Sequence, residues 1–285
     1  MNLGKSMNRK KLHALFGLKW NPFTSTVPIE GLWIAPRVES ICACVEGMAD
    51  EGGFALVTGD PGNGKSITLR ILADKLQSLP DINVGILSRP QSGLADFYRE
   101  LGELFAVQLR PHNRRGGFKA LRKKWKAHTE TSLIRPVLLI DEAQEMNSAV
   151  LSELRILAAG QLDTETDLTV VLAGDNRLMD RLSLPDLVPL ASRIRTRLLL
   201  EYASQEELSK MLQCVLKKAG NPNLLSTTLQ NTLLDLAAGN YRVLMMLAGE
   251  LLMAACEREM TQIDEKLYFE LYNTKAPKRS ARKPR

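Results

Sequence analysis

Eight consecutive residues, Gly59-Asp60-Pro61-Gly62-Asn63-Gly64-Lys65-Ser66, satisfy the pattern G-x-x-x-x-G-K-[ST] at all four fixed positions. Glycines at these places let a loop turn back so that successive backbone N–H groups face one anion. A helix starting at the lysine adds its partial positive end. The loop is read as a nucleoside triphosphate site, in which Lys65 reaches the β- and γ-phosphates and the Ser66 hydroxyl ligates Mg²⁺. About 75 residues after Lys65 the run Val137-Leu138-Leu139-Ile140 ends in Asp141-Glu142. A buried strand ending in an acid is common by itself. Paired with a phosphate loop, Asp141 can hold Mg²⁺ through its shell and Glu142 can orient and polarise an attacking water. The second acid points to hydrolysis as well as binding.

Three further polar groups fall where they could complete such chemistry. Asp175 and Asn176 follow the apolar run Leu168 to Ala173, at a strand end where a polar side chain helps place the water. Turn formation explains them equally well. Arg193, Arg195 and Arg197 precede a last strand, Leu198 to Tyr202, and one of them could project as a finger into a neighbour's phosphate site; surface charge is the plain alternative. Arg242 sits in the first turn of a helix, an unfavourable end for a cation unless a phosphate or an ion pair compensates it.

The elements that must position these groups are legible from periodicity. Phe54 to Val57 reads as a buried strand. Ile67, Leu69, Ile71, Leu72, Leu76 and Leu79 follow at helical spacing up to Pro80. Before them, Pro36 to Ala49 reads as a helix stopped by Asp50-Glu51-Gly52-Gly53. After them come a short strand Asn83 to Leu87, a helix from about Leu94 to Phe105, and a helix-like basic run through Lys126. Asn147 or Ser148 then caps a helix carrying Leu151, Leu154 and Leu157. From Ser204 the pattern turns all-helical: Glu206 to Ala219, Leu225 to Ala238 and Tyr241 to Met260, with stops at Gly220-Asn221 and Gly239-Asn240. The expected organisation is a basic N-terminal arm with an Asn-Pro-Phe turn (1–30), an α/β domain (31–203), a helical lid (204–272) and a basic disordered tail (273–285). Trp20 and Phe23, flanking the turn, serve either as packing or as a platform for an adenine base.

At 285 residues, 45% apolar and 25% charged, the chain has an ordinary soluble composition. The longest apolar stretch, Val243 to Cys256, is too short to span a bilayer and contains Glu250, so no membrane segment is expected. Four scattered cysteines argue for reduced thiols and a cytoplasmic location rather than a zinc site. The net charge of +6 is unevenly spread: residues 1–29 carry five Lys/Arg, residues 110–126 eight and residues 273–285 six, all without an acid, which leaves the rest of the chain negative. Localised positive charge on an acidic body suits a polyanion. Arg114, Arg115, Lys119, Arg122, Lys123 and Lys124, with Phe118 and Trp125 interleaved, are therefore read as contacts to double-stranded DNA.

Taken together, the phosphate loop, the acid pair, the polar strand end, the arginine-bearing segment and the helical lid resemble an AAA+ ATPase. Within that superfamily the chain is similar to the ExeA-like and TnsC/TniB-like group. The similarity lies in Asn21-Pro22-Phe23, Gly52-Gly53-Phe54, Leu139-Ile140-Asp141-Glu142-Ala143-Gln144 and Val171-Leu172-Ala173-Gly174-Asp175-Asn176-Arg177-Leu178. The resemblance implies an AAA+ P-loop NTPase fold with a five-stranded parallel sheet sandwiched by helices, and Mg²⁺-dependent hydrolysis of ATP. It makes Lys65 and Ser66 the Walker A residues, Asp141 and Glu142 the Walker B pair, Asn176 or Asp175 the first sensor, Arg193 the finger and Arg242 the second sensor. Asp175 departs from the uncharged polar residue usual at its position, and Arg195 and Arg197 compete with Arg193. Secretion ATPases of the ExeA kind carry a membrane span and a further domain, for which this chain is too short. The expectation is therefore a likeness to the transposon-encoded regulators, which assemble on DNA with ATP as a ring or helical filament and recruit a transposase; a protein-directed remodeller or secretion-assembly ATPase of the ExeA kind is the alternative.

Overall fold

The computed structural model describes residues 3–88, 90–108, 114–159 and 166–273. The Arg110–Asn113 stretch and the tail beyond Asn273 lie outside the described residues. In chain order the first elements are α1 (Leu3–Phe16), α2 (Pro36–Ala49), β1 (Gly53–Gly59), α3 (Lys65–Gln77) and β2 (Ile82–Leu87). Next come α4 (Leu94–Leu104), α5 (Arg114–Ser132), β3 (Arg135–Ile140), a 3₁₀ turn (Ala143–Glu145), α6 (Ser148–Ala158) and β4 (Thr169–Gly174). The remainder is α7 (Asn176–Leu182), α8 (Val188–Ala191), β5 (Ile194–Leu200), α9 (Gln205–Ala219), α10 (Thr227–Ala237), α11 (Tyr241–Glu257) and α12 (Glu265–Asn273).

Two compact units result: Ile34–Glu201, and a helical unit that joins the chain up to Trp33 with the chain from Tyr202 on. In the first, five strands form one parallel sheet in the order β2-β3-β4-β1-β5. Crossover helices must cover both faces of such a sheet, so its central strands are largely apolar. Every residue of β1 and β4 is buried, and so is β3 from Pro136 on. Alternate residues point to opposite faces. Phe54, Leu56, Leu138, Ile140, Val170 and Leu172 form one core with residues of α4 to α8, while α2 and α3 pack against the strands as well. Gly52, at φ +71°, closes the link into β1; a Cβ there would run into the Thr166 carbonyl.

The helical unit is built from well-capped helices. Ser204, Ser226 and Asn240 each accept a backbone N–H at the starts of α9, α10 and α11. Gly220, at φ +108°, ends α9.

Three expectations change. The N-terminal segment is not a loose arm: Leu3–Phe16 is helical, and Leu12, Phe16 and Leu18 are buried in the core of the helical unit with residues of α9 to α12. Phe23 joins the same core, where Trp20 also packs. The last strand runs Ile194–Leu200 rather than Leu198 to Tyr202, so Arg195 and Arg197 lie within this edge strand and not ahead of it. Finally α12, which the chain's periodicity did not announce, contributes Leu267 to the helical core.

Candidate functional site

β1 delivers the phosphate loop at the carboxyl edge of the sheet, where ligands bind in open α/β folds. Gly62 and Gly64 hold φ +94° and +93°, which a side chain would strain. A Cβ on Gly59 would collide with the Leu200 carbonyl of neighbouring β5. The loop is also braced by its own side chains. Asn63 Nδ2 donates to Leu200 O at 3.0 Å, and Lys65 Nζ donates to the carbonyls of Gly59 (2.8 Å) and Asp60 (3.1 Å). Both are almost fully buried, and Asn63 Oδ1 accepts no hydrogen bond among the described residues. Asn63, included in the loop only as a variable position, is thus one of its struts.

Beside the loop lie the ends of β3 and β4, since the strand order places β4 between β1 and β3. Asp141, half-buried, accepts from the Glu142 N–H at 3.0 Å. Glu142 itself is exposed and holds the left-handed φ of +53°. Its Oε2 accepts from Gln144 Nε2. Gln144 Oε1 in turn accepts from the Asp175 N–H at 3.2 Å, at the end of β4.

Asn176 Nδ2 reaches the phosphate loop, donating to Asp60 Oδ1 at 2.9 Å. Asp175 is otherwise engaged: its carboxylate caps α7 through the Arg177 N–H (3.0 Å) and pairs with the Arg177 guanidinium (2.8 Å). Burial pushes the Asp175 carboxyl up, but the hydrogen bonds and charge of Arg177, with the charge of Lys65, outweigh it and hold the group below its usual range. Of the two strand-end residues, Asn176 is the one that touches the loop.

The donor set fits a nucleotide with Mg²⁺. The glycine turn offers a backbone cradle, and Ser66 and Asp141 are accessible oxygen donors of the kind a hard cation takes. Among the described residues no cluster of three or more His, Cys, Asp or Glu could hold a metal alone.

The remaining predicted residues fall elsewhere. Arg193 is half-buried just before β5, Arg195 pairs with Glu51 at 3.2 Å, and Arg197 donates to Ala191 O at 3.3 Å. Arg242 is exposed in the first turn of α11 in the helical unit.

The basic run is a 19-residue helix with two unlike faces. Trp125 is buried edge-to-face against Phe105, and Phe118 packs on the same core, so neither aromatic offers a face for a base to stack on. Arg122 lies over the Phe118 ring and donates to Asp167 at 3.0 and 3.2 Å. Lys124 donates to Ala106 O at 3.0 Å. Arg122 and Lys124 are therefore structural cations. Arg115, Lys119, Lys123 and Lys126 are exposed at spacings of four, four and three, a single outward stripe. The Arg114 side chain lies outside the described ones. Lys126, missed among the predicted contacts, was findable from this periodicity.

Among the described residues no helix is long and apolar enough to cross a membrane. A family model for the AAA domain matches residues 48–182. The chain is 31% identical over 250 residues to General secretion pathway protein A of Aeromonas hydrophila, which covers 85% of this chain and only 44% of that protein. The chain thus spans less than half the length of that curated relative. Similar solved structures include Cdc6p from Pyrobaculum aerophilum (TM-score 0.68, 14% identity, 85% of this chain and 67% of that one). The Aeropyrum pernix ORC1 protein in complex with DNA superposes with TM-score 0.67 at 16% identity, over 90% of this chain and 68% of that one. Domain III of the Thermotoga maritima replication initiation protein DnaA gives 0.58 at 18% identity, over 88% and 97%. With strand order β2-β3-β4-β1-β5, a phosphate loop after β1 and an acid pair after β3, the chain has the fold of AAA+ P-loop ATPases, and its residues 48–182 are similar to the AAA domain.

Proposed function

We propose that the protein is a Mg²⁺-dependent ATPase that binds duplex DNA in its ATP state and regulates transposition. The nucleotide half rests on the phosphate loop braced by Asn63 and Lys65, with Asn176 and the Asp141-Glu142 pair beside it. Glu142 takes the proton of a water that attacks the γ-phosphorus. The bond to the β-phosphate bridging oxygen breaks, giving ADP and phosphate, while Lys65 offsets the charge carried by the phosphate oxygens. Ser66 and Asp141 would hold Mg²⁺, which would supply further charge neutralisation. Asn176 acts as first sensor, Arg242 as second sensor, and Arg193 as the finger given to a neighbouring copy in a ring or filament.

The observation that carries the DNA half is the outward stripe Arg115, Lys119, Lys123 and Lys126 on α5, in a stretch without acids from residue 110 to 126. Phosphate contacts of this kind are tolerant of sequence and sensitive to salt. That the Aeropyrum pernix ORC1 protein of similar fold was solved in complex with DNA agrees with it. Recruitment of a transposase follows from the resemblance of the quoted motifs to the transposon-encoded regulators. The test is anisotropy of a random duplex with ATP analogue, with ADP and without nucleotide, with negative-stain microscopy of the bound samples. Salt-sensitive binding confined to the ATP analogue, with rings or filaments, is expected; nucleotide-indifferent or absent binding refutes it.

A second reading is a protein-directed ATPase of secretion assembly, favoured by the 31% identity to General secretion pathway protein A. ATP turnover that duplex DNA leaves unchanged would select it.

A further inference from the structure

Gln144 is one of the few polar side chains buried in this unit, 6% exposed. It sits in the 3₁₀ turn directly after the acid pair, and its two amide atoms are both used. Nε2 donates to Glu142 Oε2, and Oε1 accepts the N–H of Asp175. The backbone N–H can only donate, so it fixes which end of the amide is oxygen and therefore which end faces Glu142. The turn itself is anchored from below, because Arg181 donates to the Gln144 carbonyl at 2.5 Å and to Ser148 Oγ at 3.1 Å. The room is tailored as well: a Cβ added at Gly174 would come within 2.7 Å of Gln144 Oε1. Asn176, which touches Asp60 of the phosphate loop, is the next residue after Asp175.

We propose that Gln144 is a positioning residue for Glu142, tying its carboxylate to the strand end that carries the first sensor. Glu142 occupies a left-handed backbone conformation on an exposed turn and, without the amide, its side chain is free to rotate among several rotamers. The bridge from Asp175 N–H through the Gln144 amide to Glu142 confines it to one. A displacement of the β4 end therefore moves the carboxylate that activates the water. The residue acts through Glu142, without touching nucleotide. The inference rests on the ATPase reading given above.

Gln144→Met keeps the volume and removes both hydrogen bonds. In the full chain with Mg²⁺ and ATP, its kcat is expected to fall at least about tenfold, part of what a well-placed general base contributes. ATP-analogue affinity, read by fluorescence, is expected to stay within about twofold, because no phosphate contact is lost. In a Glu142→Gln background, single-turnover rates are expected to show no further loss from Gln144→Met, as for two residues in one chain of action. Hydrogen exchange of the Asp175 amide should quicken in Gln144→Met and not in Glu142→Gln. Undiminished kcat, an equal loss in the Glu142→Gln background, or loss of nucleotide affinity alongside kcat would each overturn the proposal. A parent protein that binds ATP and never hydrolyses it is a separate result: it refutes the ATPase reading and takes the role of Gln144 with it.

Discussion

Replacing Arg115, Lys119, Lys123 and Lys126 together by Ala removes the outward stripe of α5 and leaves its buried face intact. From Arg115 to Lys126 the helix advances about 16 Å at ~1.5 Å per residue, close to the rise of about five base pairs, so four phosphates lie within reach of four cations. None of the four is locked in a strong ion pair among the described residues; the Lys126–Glu130 pair is 3.9 Å long with both side chains more than half exposed. Such a pair is worth at most about 0.5 kcal/mol and is readily exchanged for a phosphate. If each cation neutralises one phosphate, the slope of log K against log salt should flatten by about 3.6, which between 50 and 200 mM salt amounts to about two orders of magnitude of lost salt sensitivity. Anisotropy of a labelled random duplex, titrated at four salt concentrations with ATP analogue, reads the slope directly. An unchanged slope in a quadruple variant that melts with the parent would refute α5 as the DNA face.

Arg122→Ala should behave oppositely. It leaves Asp167, 17% exposed at its side chain, without its guanidinium, so we expect about 1 kcal/mol of lost stability in urea and no change in the salt slope. Phe16→Ala should lower stability by about 3 kcal/mol, because Phe16 is buried in the helical core; a variant as stable as the parent would restore the picture of a loose arm. The depressed Asp175 carboxyl makes a stabilising contribution that is present above the unfolded carboxylate range of about 4 and disappears as pH falls through the lower folded value. Arg177→Ala should remove most of this, so the difference in melting temperature between parent and variant should shrink below about pH 4. A difference that persists undiminished at low pH would show that Arg177 stabilises the fold through something other than the ionised Asp175 carboxylate.

What the sequence determined by itself was whatever the chain specifies locally. A glycine loop between a buried strand and a helix can make only a few backbone shapes, so residues 59–66 were readable as a phosphate site without a fold around them. Glu142 was legible because it adjoins Asp141 at the end of an apolar run, and the helices of the C-terminal half because the stops at Gly220-Asn221 and Gly239-Asn240 punctuate them. Tertiary structure decided everything that depends on residues far apart in sequence. Leu12 and Phe16 look incidental among lysines until α9 to α12 provide the apolar surface that buries them. Trp125 among cations resembles a stacking platform until Phe105 takes its edge, and Arg122 resembles a phosphate contact until Asp167, 45 residues on, pairs with it. Gln144 was visible as the last residue of the Leu139–Gln144 motif, but its bridging role was not, because one of its two amide partners is a strand-end N–H 31 residues away. Short-range periodicity and spacing report which face a residue presents; only the assembled sheet fixes what that face meets.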